Sequence, residues 1–210
     1  MKRKSLLLVV FGILCAALAK PATAEIVYTP VNVVIPISSS YNIDLNHDGT
    51  TDFTIRSAIG LIWCNLGDGG FWSLTVTPAQ NNSVGVTTGQ NAAALPVGVG
   101  VDSTQPFYNG TAVMAYLAYG TCGNFVLGNW FNVPYRYLGL QFQEVQANGA
   151  LVTHYGWAKV TDIVYFDSHH NLQASTTLVG FAYETSHGKT ILTGQTSDAA
   201  DDQASTSPGP

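Results

Sequence analysis

The sequence predicts an all-β protein, an antiparallel β-sandwich of the jelly-roll type with about ten strands. Charged residues make up only 10% of the 210-residue chain, against roughly 25% in an average soluble protein. Short apolar or alternating segments recur with turn residues between them, and no segment continues into a long helical pattern. A parallel α/β fold is excluded because the pattern offers none of the crossover helices it needs.

The segments with a strand pattern are spread along the whole chain after residue 25. The clearest is 137–145, where Leu138, Leu140 and Phe142 share one face of the strand. Pro30 and Pro36 restrict the first segment to a sheet edge or to two short pieces. The predicted segments are residues 26–37, 41–44, 52–55, 61–66, 71–77, 113–119, 137–145, 154–160, 163–166, 176–184 and 191–193.

Three local signals add detail to this pattern. Gly67-Asp68-Gly69-Gly70 predicts a hairpin turn. Residues 90–95 predict at most one helical turn, because a proline follows them. Gly156 beside Trp157 predicts a close approach of two backbones, with the indole filling the space between the sheets.

The start of the chain has the three parts of a signal peptide. Residues 1–4 are basic, residues 6–19 form an apolar run of 14 residues, and Ala22 and Ala24 are small residues where a signal peptidase reads. A membrane anchor is the weaker interpretation, because a spanning helix needs about 20 residues. The residue before Cys15 is large, which argues against a lipoprotein. We expect cleavage after Ala24.

The chain is therefore expected to have three regions. Residues 1–24 are a signal peptide, residues 25–196 form one β-sandwich domain, and residues 197–210 are a disordered tail. The tail contains no large apolar residue, so it cannot bury enough surface to fold. The expected location is secreted, periplasmic or at the cell surface.

The charge balance limits the partners of the mature chain. Cleavage would leave four basic residues against 13 acidic ones, a net charge of −9. Such a surface neutralises few phosphates, so nucleic acid is not an expected partner, and anionic lipid is disfavoured for the same reason. An extracellular polysaccharide or another surface component is the partner class that we expect.

Cys64 and Cys122 are the two cysteines that would remain after cleavage. An even number of cysteines in an exported chain predicts one disulfide bond. In the chain-entropy model this bond would stabilise the fold by roughly 4 kcal/mol. Two buried free thiols are the alternative. No Cys-x-x-Cys motif is present, so the sequence does not indicate a redox enzyme of that type.

The strongest chemical signal is an acidic loop at residues 44–52. Its oxygen ligands are Asp44, Asn46, Asp48, the main-chain carbonyl of Thr50, and Asp52. Calcium takes about six to eight oxygen donors, and the carboxylates would repel each other without a cation between them. Gly49 permits the sharp bend of the loop. The sequence therefore predicts a calcium site whose default role is to stabilise the fold.

The acidic loop resembles the Asp-x-Asn-x-Asp-Gly-x-x-Asp hairpins of integrin-α and other extracellular, β-rich calcium repeats. It differs from an EF-hand because Ile55 stands at the twelfth position, where that motif has a bidentate glutamate. The flanking residues 41–43 and 53–55 also have strand patterns. The alternative is an ordinary polar turn, in which Asn, Asp and Gly are common.

Four segments near the C-terminus, residues 137–142, 154–160, 180–185 and 191–195, follow one another in a characteristic order. This order resembles a broad group of exported bacterial β-sandwich proteins of unknown function, many of which carry a PEP-CTERM-type sorting tail. The resemblance implies an exported β-sandwich and no particular activity. Such a tail has an apolar helix and a basic end, which this sequence does not show before Pro210, so sorting by that route is not expected.

An irregular, aromatic-rich segment at residues 125–135 is the best candidate for a ligand-binding loop. It carries Trp130, Phe131 and Tyr135 among Asn and Gly residues. β-Sandwich proteins often stack sugars on such rings and bond the sugar hydroxyls with neighbouring polar side chains. The alternative is that Trp130 and Phe131 cover the end of the core.

Signals for catalysis are weak. Glu144 and Glu184 are the pair of carboxylates that could act as the acid and base of a glycosidase. His169 and His170 stand on a predicted turn and would diverge, so they do not favour a transition-metal site. The Gly-x-Ser-x-Gly motif of one hydrolase class is missing. No catalytic residue is assigned.

Three functional hypotheses follow. The first is a secreted or envelope-associated protein without catalytic activity, stabilised by calcium and a disulfide bond, with a structural or adhesive role. The second is a carbohydrate-binding module, which requires Trp130 or Tyr135 to be exposed in a groove. The third is a glycan-active enzyme, which requires two carboxylates across a cleft at roughly 5–10 Å.

Overall fold

The computed structural model describes residues 25–64, 67–87, 89–121 and 123–198. The predicted signal peptide and most of the predicted tail lie outside these residues. Within them the chain forms thirteen β-strands and no helix. Accordingly, the described residues include no helix that is long and apolar enough to cross a membrane.

The strands are numbered in chain order. They are β1 (Ile26–Ile35), β2 (Ser39–Ile43), β3 (Phe53–Cys64), β4 (Gly67–Pro78), β5 (Ser83–Gly85), β6 (Gly100–Val101), β7 (Phe107–Tyr108), β8 (Ala112–Gly120), β9 (Phe125–Gly128), β10 (Arg136–Val145), β11 (Leu151–Phe166), β12 (Leu172–Glu184) and β13 (Ile191–Leu192).

Two antiparallel sheets pack face to face, so the predicted all-β sandwich is confirmed. The six-stranded sheet has the order β1-β12-β11-β10-β5-β7, and the five-stranded sheet has the order β2-β3-β4-β8-β9. β6 and β13 form a separate two-stranded ribbon. The strands beyond the expected ten are short segments such as β5, β6 and β7, which are too brief to leave a periodic pattern in the sequence.

The main core lies between the two sheets, and the alternation of each strand decides which side chains enter it. In β10, Leu138, Leu140 and Phe142 are fully buried, as their spacing predicts. Phe53 and Trp72 enter the same core from the five-stranded sheet. Each such side chain contributes roughly 1.5–3 kcal/mol by removing apolar surface from water.

β1 lies at the edge of the six-stranded sheet, where it pairs with β12. Its register shifts between Pro30 and Val33, because proline cannot donate a ladder hydrogen bond. The strand ends at Ile35, directly before Pro36. The prediction that these two prolines restrict the segment to an edge is confirmed.

β3 differs from the prediction in being one strand of 12 residues, where the sequence indicates two pieces at 52–55 and 61–66. The middle of the strand is polar, but the polar side chain that it buries has a hydrogen-bond partner inside the core. The hydroxyl of the buried Ser57 accepts a hydrogen bond of 3.0 Å from the indole of Trp72. Pairing with β4 therefore continues without interruption.

Glycine-rich and irregular segments also differ from the prediction. The predicted hairpin is present, since β3 pairs with β4 as far as Cys64 and Gly67, but Gly67–Gly70 belong to β4 rather than to the turn. A Cβ on Gly70 would lie 2.4 Å from the ring of Tyr119, so the glycine makes room for that ring on the sheet. Residues 90–95 form turns and isolated bridges instead of a helical turn.

A second, smaller core lies on the outer face of the six-stranded sheet, under the β6–β13 ribbon. Trp157 belongs to this core, and its indole donates a hydrogen bond of 3.1 Å to the main-chain oxygen of Gln195. The expectation that Trp157 fills the space between the two sheets is therefore wrong. The predicted close approach at Gly156 is present, since a Cβ there would lie 2.6 Å from the oxygen of Ala182.

Candidate functional site

The acidic loop, residues 44–52, connects β2 to β3 and is closed at its base by backbone hydrogen bonds. The amide of Asp52 donates to the oxygen of Ile43 at 2.8 Å, and the amide of Ala79 donates to the oxygen of Asp52 at 2.7 Å. His47 and Gly49 have φ angles of 61° and 86°. The chain therefore bends sharply where the sequence predicts that Gly49 permits it.

Asp44 and Asp48 bind the main chain of their own turn. The two carboxylate oxygens of Asp44 accept hydrogen bonds from the amides of Asp48 and Gly49 at 3.1 and 2.8 Å. Oδ1 of Asp48 accepts from the amide of Thr50 at 2.7 Å, and Oδ2 accepts from the side chain of Asn46 at 3.2 Å. Burial alone would raise the pKa of Asp48, but the bonds from Thr50 and Asn46 outweigh it and lower the pKa. The loop thus gathers oxygen atoms around one exposed turn.

Asp52 is turned into the protein. Its Oδ2 accepts a hydrogen bond of 2.8 Å from the amide of Leu45, and its Oδ1 accepts one of 3.1 Å from Nδ2 of Asn82. Burial raises the pKa of Asp52, these two hydrogen bonds oppose the rise, and the nearby charges of Asp48 and Asp44 add to it. Asp52 therefore fastens the loop to the fold, a role that its spacing in the sequence does not indicate.

The donor set of the acidic loop is mixed. Among the described residues, no three His, Cys, Asp or Glu side chains converge in a way that could hold a metal ion. Calcium also takes side-chain amide and main-chain carbonyl oxygens, which Asn46 and Thr50 would supply. The calcium site therefore stays a prediction at this stage.

Asn82 joins the acidic loop to the six-stranded sheet. Its Nδ2 donates to Oδ1 and to the main-chain oxygen of Asp52 at 3.1 and 3.3 Å, and its Oδ1 accepts from the amide of Gln143 at 2.9 Å. Asn82 is 3% exposed, so these bonds are shielded from water. No sequence pattern marks this residue, because its partners are 30 and 61 residues away.

A polar cavity of about 350 Å³ lies between the acidic loop and the end of β10. Its polar lining comes from the loop, from the β4–β5 turn and from β10, and includes Asn46, Asp48, Thr50, Gln80, Asn82, Gln143 and Glu144. Oxygen and nitrogen atoms are therefore the main groups offered to an ion or a polar ligand at this position.

The two candidate acid–base carboxylates are held in different ways. Oε2 of Glu144 lies 3.2 Å from Nε2 of the buried His154, whose Nδ1 lies 3.0 Å from the main-chain oxygen of Glu184. The side chain of Glu184 is 1% exposed and forms an ion pair of 2.7 Å with Lys189. A glycosidase needs both carboxyl groups at an open cleft, and the buried, paired Glu184 does not meet that requirement.

The predicted ligand-binding segment divides into buried and exposed parts. It begins with β9, and Trp130 is fully buried in the main core. Trp130 offers no exposed face to a ligand, contrary to the expectation. Phe131 packs against the same core, so both rings cover the core as the alternative interpretation holds. Tyr135 is 57% exposed and stays a candidate for binding.

Tyr135 borders a second cavity of about 430 Å³ on the outside of the six-stranded sheet. The cavity is lined by Asn132, Pro134, Tyr135, Thr161, Asp162 and Ile163. The amide of Asp162 donates to the oxygen of Val133 at 2.9 Å. The loop before β10 is therefore fastened along β11, which fixes one wall of the cavity.

The carboxyl group of Asp162 is buried in this part of β11. It is 0% exposed, and its Oδ1 accepts a hydrogen bond of 2.9 Å from the hydroxyl of Thr176. Burial raises the pKa of Asp162 to about 7, and the hydrogen bond from Thr176 opposes this rise only in part. The charged form is therefore the one that the fold disfavours.

The predicted disulfide falls partly outside the described residues. Cys64 ends β3 and its backbone pairs with Gly67, but its side chain and the whole of Cys122 are not described. Thr121 donates a hydrogen bond to the oxygen of Asp68. Residues 64 and 121 therefore stand at the same end of the five-stranded sheet, and the disulfide stays a prediction.

Comparison of the chain with protein-family models, with curated proteins and with solved structures found no match. The resemblances to exported bacterial β-sandwich proteins and to integrin-α loops therefore stay predictions.

Asn82→Ala is expected to lower the free energy of unfolding by about 3 kcal/mol, because it removes three shielded hydrogen bonds and leaves Asp52 and Gln143 with unpaired buried groups. Urea denaturation monitored by tryptophan fluorescence measures this change. Asn109→Ala is the matched control, since Asn109 is exposed and its replacement should stay within about 0.5 kcal/mol. Equal effects of the two substitutions would contradict the linking role of Asn82.

Asp162→Asn is expected to stabilise the protein increasingly as the pH rises. The native carboxyl keeps its proton up to about pH 7, whereas the unfolded one loses it near pH 3.8. The wild type therefore loses stability between these two values, by up to about 4 kcal/mol, and the asparagine variant does not. Urea denaturation at several pH values measures the difference, which should grow from pH 4 to pH 7 and then stay constant. A difference independent of pH would show that native Asp162 is not protonated.

Proposed function

We propose that this protein is an exported β-sandwich, secreted or held in the cell envelope, that is stabilised by calcium and has a structural or adhesive role rather than a catalytic one. The position of the acidic loop carries the proposal. Through Asp52, Asn82 and Gln143 the loop is bonded to both sheets at one end of the sandwich. An ion bound in the loop would therefore stabilise the joint between the sheets.

The proposed ligands are Asp44, Asn46, Asp48, the main-chain oxygen of Thr50, and Asp52. The side chains of the first three already accept hydrogen bonds from amides of their own turn, so they are held close together. Ligating carboxylates commonly keep hydrogen bonds to protein donors, so the bonds that Asp52 accepts are compatible with a ligand role. Extracellular calcium is often millimolar, and an affinity of about 10⁻⁴–10⁻³ M would suffice.

Removal of calcium is expected to lower the melting temperature of the chain from residue 25 onward by about 3–6 °C, if calcium is first supplied at about ten times its Kd. Differential scanning calorimetry with calcium, with excess chelator and after calcium is restored measures this change. Asp48→Ala should melt at one temperature under all three conditions, because it loses a proposed ligand.

Asp167→Ala is the control for the calcium experiment. Asp167 also accepts hydrogen bonds from amides of its own turn, those of His169 and Asn171, both at 2.9 Å. Asp167 lies outside the acidic loop and lacks the ligand spacing of residues 44–52. The variant should therefore keep the full response to calcium. Identical melting curves of the wild type with and without calcium would sink the proposal and leave the acidic loop as a polar turn.

A carbohydrate-binding module is the second candidate function. It is favoured by one observation, the exposed ring of Tyr135 at the edge of the 430 Å³ cavity. An aromatic ring beside polar side chains in a concavity is a common arrangement for sugar ligands. This function is compatible with an adhesive role, because a protein at the cell surface can adhere by binding polysaccharide.

The predicted disulfide between Cys64 and Cys122 has a direct chemical test. Under denaturing, non-reducing conditions the exported chain should react with no iodoacetamide, and after reduction it should take up two equivalents, measured by intact mass. Reduction should also destabilise the fold by roughly 4 kcal/mol, because the unfolded chain regains its loop entropy. Two reactive thiols before reduction would establish the alternative of free cysteines.

A further inference from the structure

The outer face of the six-stranded sheet is covered by the β6–β13 ribbon over only part of its area. Beyond the ribbon, β11 presents Ile163 and Tyr165, which are 53% and 56% exposed. Tyr135 and Ile163 both line the 430 Å³ cavity, and Tyr135 is 57% exposed. The exposed ring of Tyr165 lies two residues further along β11.

Positive charge is concentrated at this place. Nζ of Lys159 lies 4.8 Å from the ring centre of Tyr135 and 5.9 Å from that of Tyr137. The guanidinium of Arg136 donates a hydrogen bond of 2.8 Å to the main-chain oxygen of Tyr135. Lys159 thus lies against the ring of Tyr135, and Arg136 is fastened to the main chain of the same residue at the start of β10.

This concentration is notable in an acidic chain that has four basic residues after residue 24. Lys189 is engaged by Glu184 and Asp198, and Arg56 lies in β3 on the opposite sheet. The other two are Lys159 and Arg136. Within the described part of the chain, neither forms an ion pair with a carboxylate.

Asp162 carries the carboxylate nearest to Lys159 in the sequence, but it does not offset the positive charge at the surface. Asp162 is 0% exposed and is hydrogen-bonded to Thr176 inside the protein. Asn132 and Thr161 also line the cavity. Oδ1 of Asn132 accepts a hydrogen bond of 2.6 Å from the amide of Val164, so the amino group of Asn132 and the hydroxyl of Thr161 are the neutral donors at the cavity. The surface therefore combines aromatic rings, neutral hydrogen-bonding groups and two cations.

We propose that this surface, the Tyr135 patch (Asn132, Tyr135, Arg136, Lys159, Thr161 and Tyr165), binds acidic glycan chains whose sugars carry carboxylate groups. The apolar face of a sugar ring stacks on Tyr135, its hydroxyls bond to the neutral side chains, and its carboxylate meets Lys159 and Arg136. The inference rests on the carbohydrate-binding form of the proposed function and adds the ligand class.

The dimensions of the patch favour a chain over a single sugar. Thr161 lines the cavity together with Tyr135. Tyr165 lies four residues further along β11, which corresponds to about 13 Å along a strand. The exposed rings of Tyr135 and Tyr165 would therefore contact different sugar units of one glycan. Nucleic acid fits less well, because two cations neutralise few phosphates when residues 25–210 carry a net charge of −9.

Isothermal titration calorimetry tests the proposal with oligomers of galacturonate, glucuronate and mannuronate, each compared with its methyl ester, in one calcium-containing buffer. At least one uronate should bind, and its methyl ester should bind at least about tenfold more weakly because the carboxylate is masked. Lys159→Gln, Arg136→Gln and Tyr135→Ala should each weaken binding by about fivefold or more, whereas Tyr135→Phe keeps the ring and should bind nearly as well.

Two controls separate the patch from other sites. Arg56→Gln removes the same charge from the opposite sheet and should leave binding unchanged. Replacement of calcium by excess chelator should also leave binding unchanged, whereas binding that requires calcium would place the glycan on an ion in the acidic loop and overturn the proposal.

Three further outcomes of the titrations would overturn the proposal in whole or in part. Equal binding of a uronate and its methyl ester would overturn the acidic ligand class and leave carbohydrate binding in place. No binding of any uronate or ester at millimolar concentration would overturn both the acidic ligand class and carbohydrate binding itself. Equal binding of a single-stranded oligonucleotide of the same charge would show that the patch takes polyanions in general and would overturn the assignment to glycans.

Discussion

The buried hydrogen bonds that run from Asp52 through Asn82 to Gln143 are the constraint on which the acidic end of the molecule depends. The packing of apolar side chains between two sheets is non-directional, so polar bonds of this kind fix how the sheets meet. Asp52 also accepts a hydrogen bond from the amide of Leu45, whose side chain is fully buried. The base of the acidic loop therefore cannot move without disturbing the core, and the carboxylates above it stay close together.

Much of the fold could be predicted because its signals are local. The alternation of β10 is visible within ten residues, and Pro30 marks an edge strand by its own chemistry. The side of the sheet on which Trp157 lies could not be predicted. β11 is buried on both faces, since Ala158 enters the main core and Trp157 enters the second one. Alternation gives no direction where both faces are apolar.

The candidate site shows the same division between local and distant causes. The bend at Gly49 follows from the loop sequence alone. Trp130 and Tyr135, by contrast, belong to one aromatic segment, yet one is buried and the other is 57% exposed. The difference arises where Asn132 and Val133 bond to β11, a contact between residues far apart in the chain. Asn82 and Asp162 acquire their roles in the same way, from partners that no short motif contains.

The β6–β13 ribbon makes the cover of the outer sheet face depend on residues that are far apart in the chain. Ile191 pairs with Val101, and β1 pairs with β12, so the six-stranded sheet and its cover require the last part of the chain. The five-stranded sheet is assembled mostly from sequence neighbours. Long-range contacts form slowly because loop closure opposes them. The outer face at Trp157 therefore stays uncovered until residues near the end of the described chain are in place.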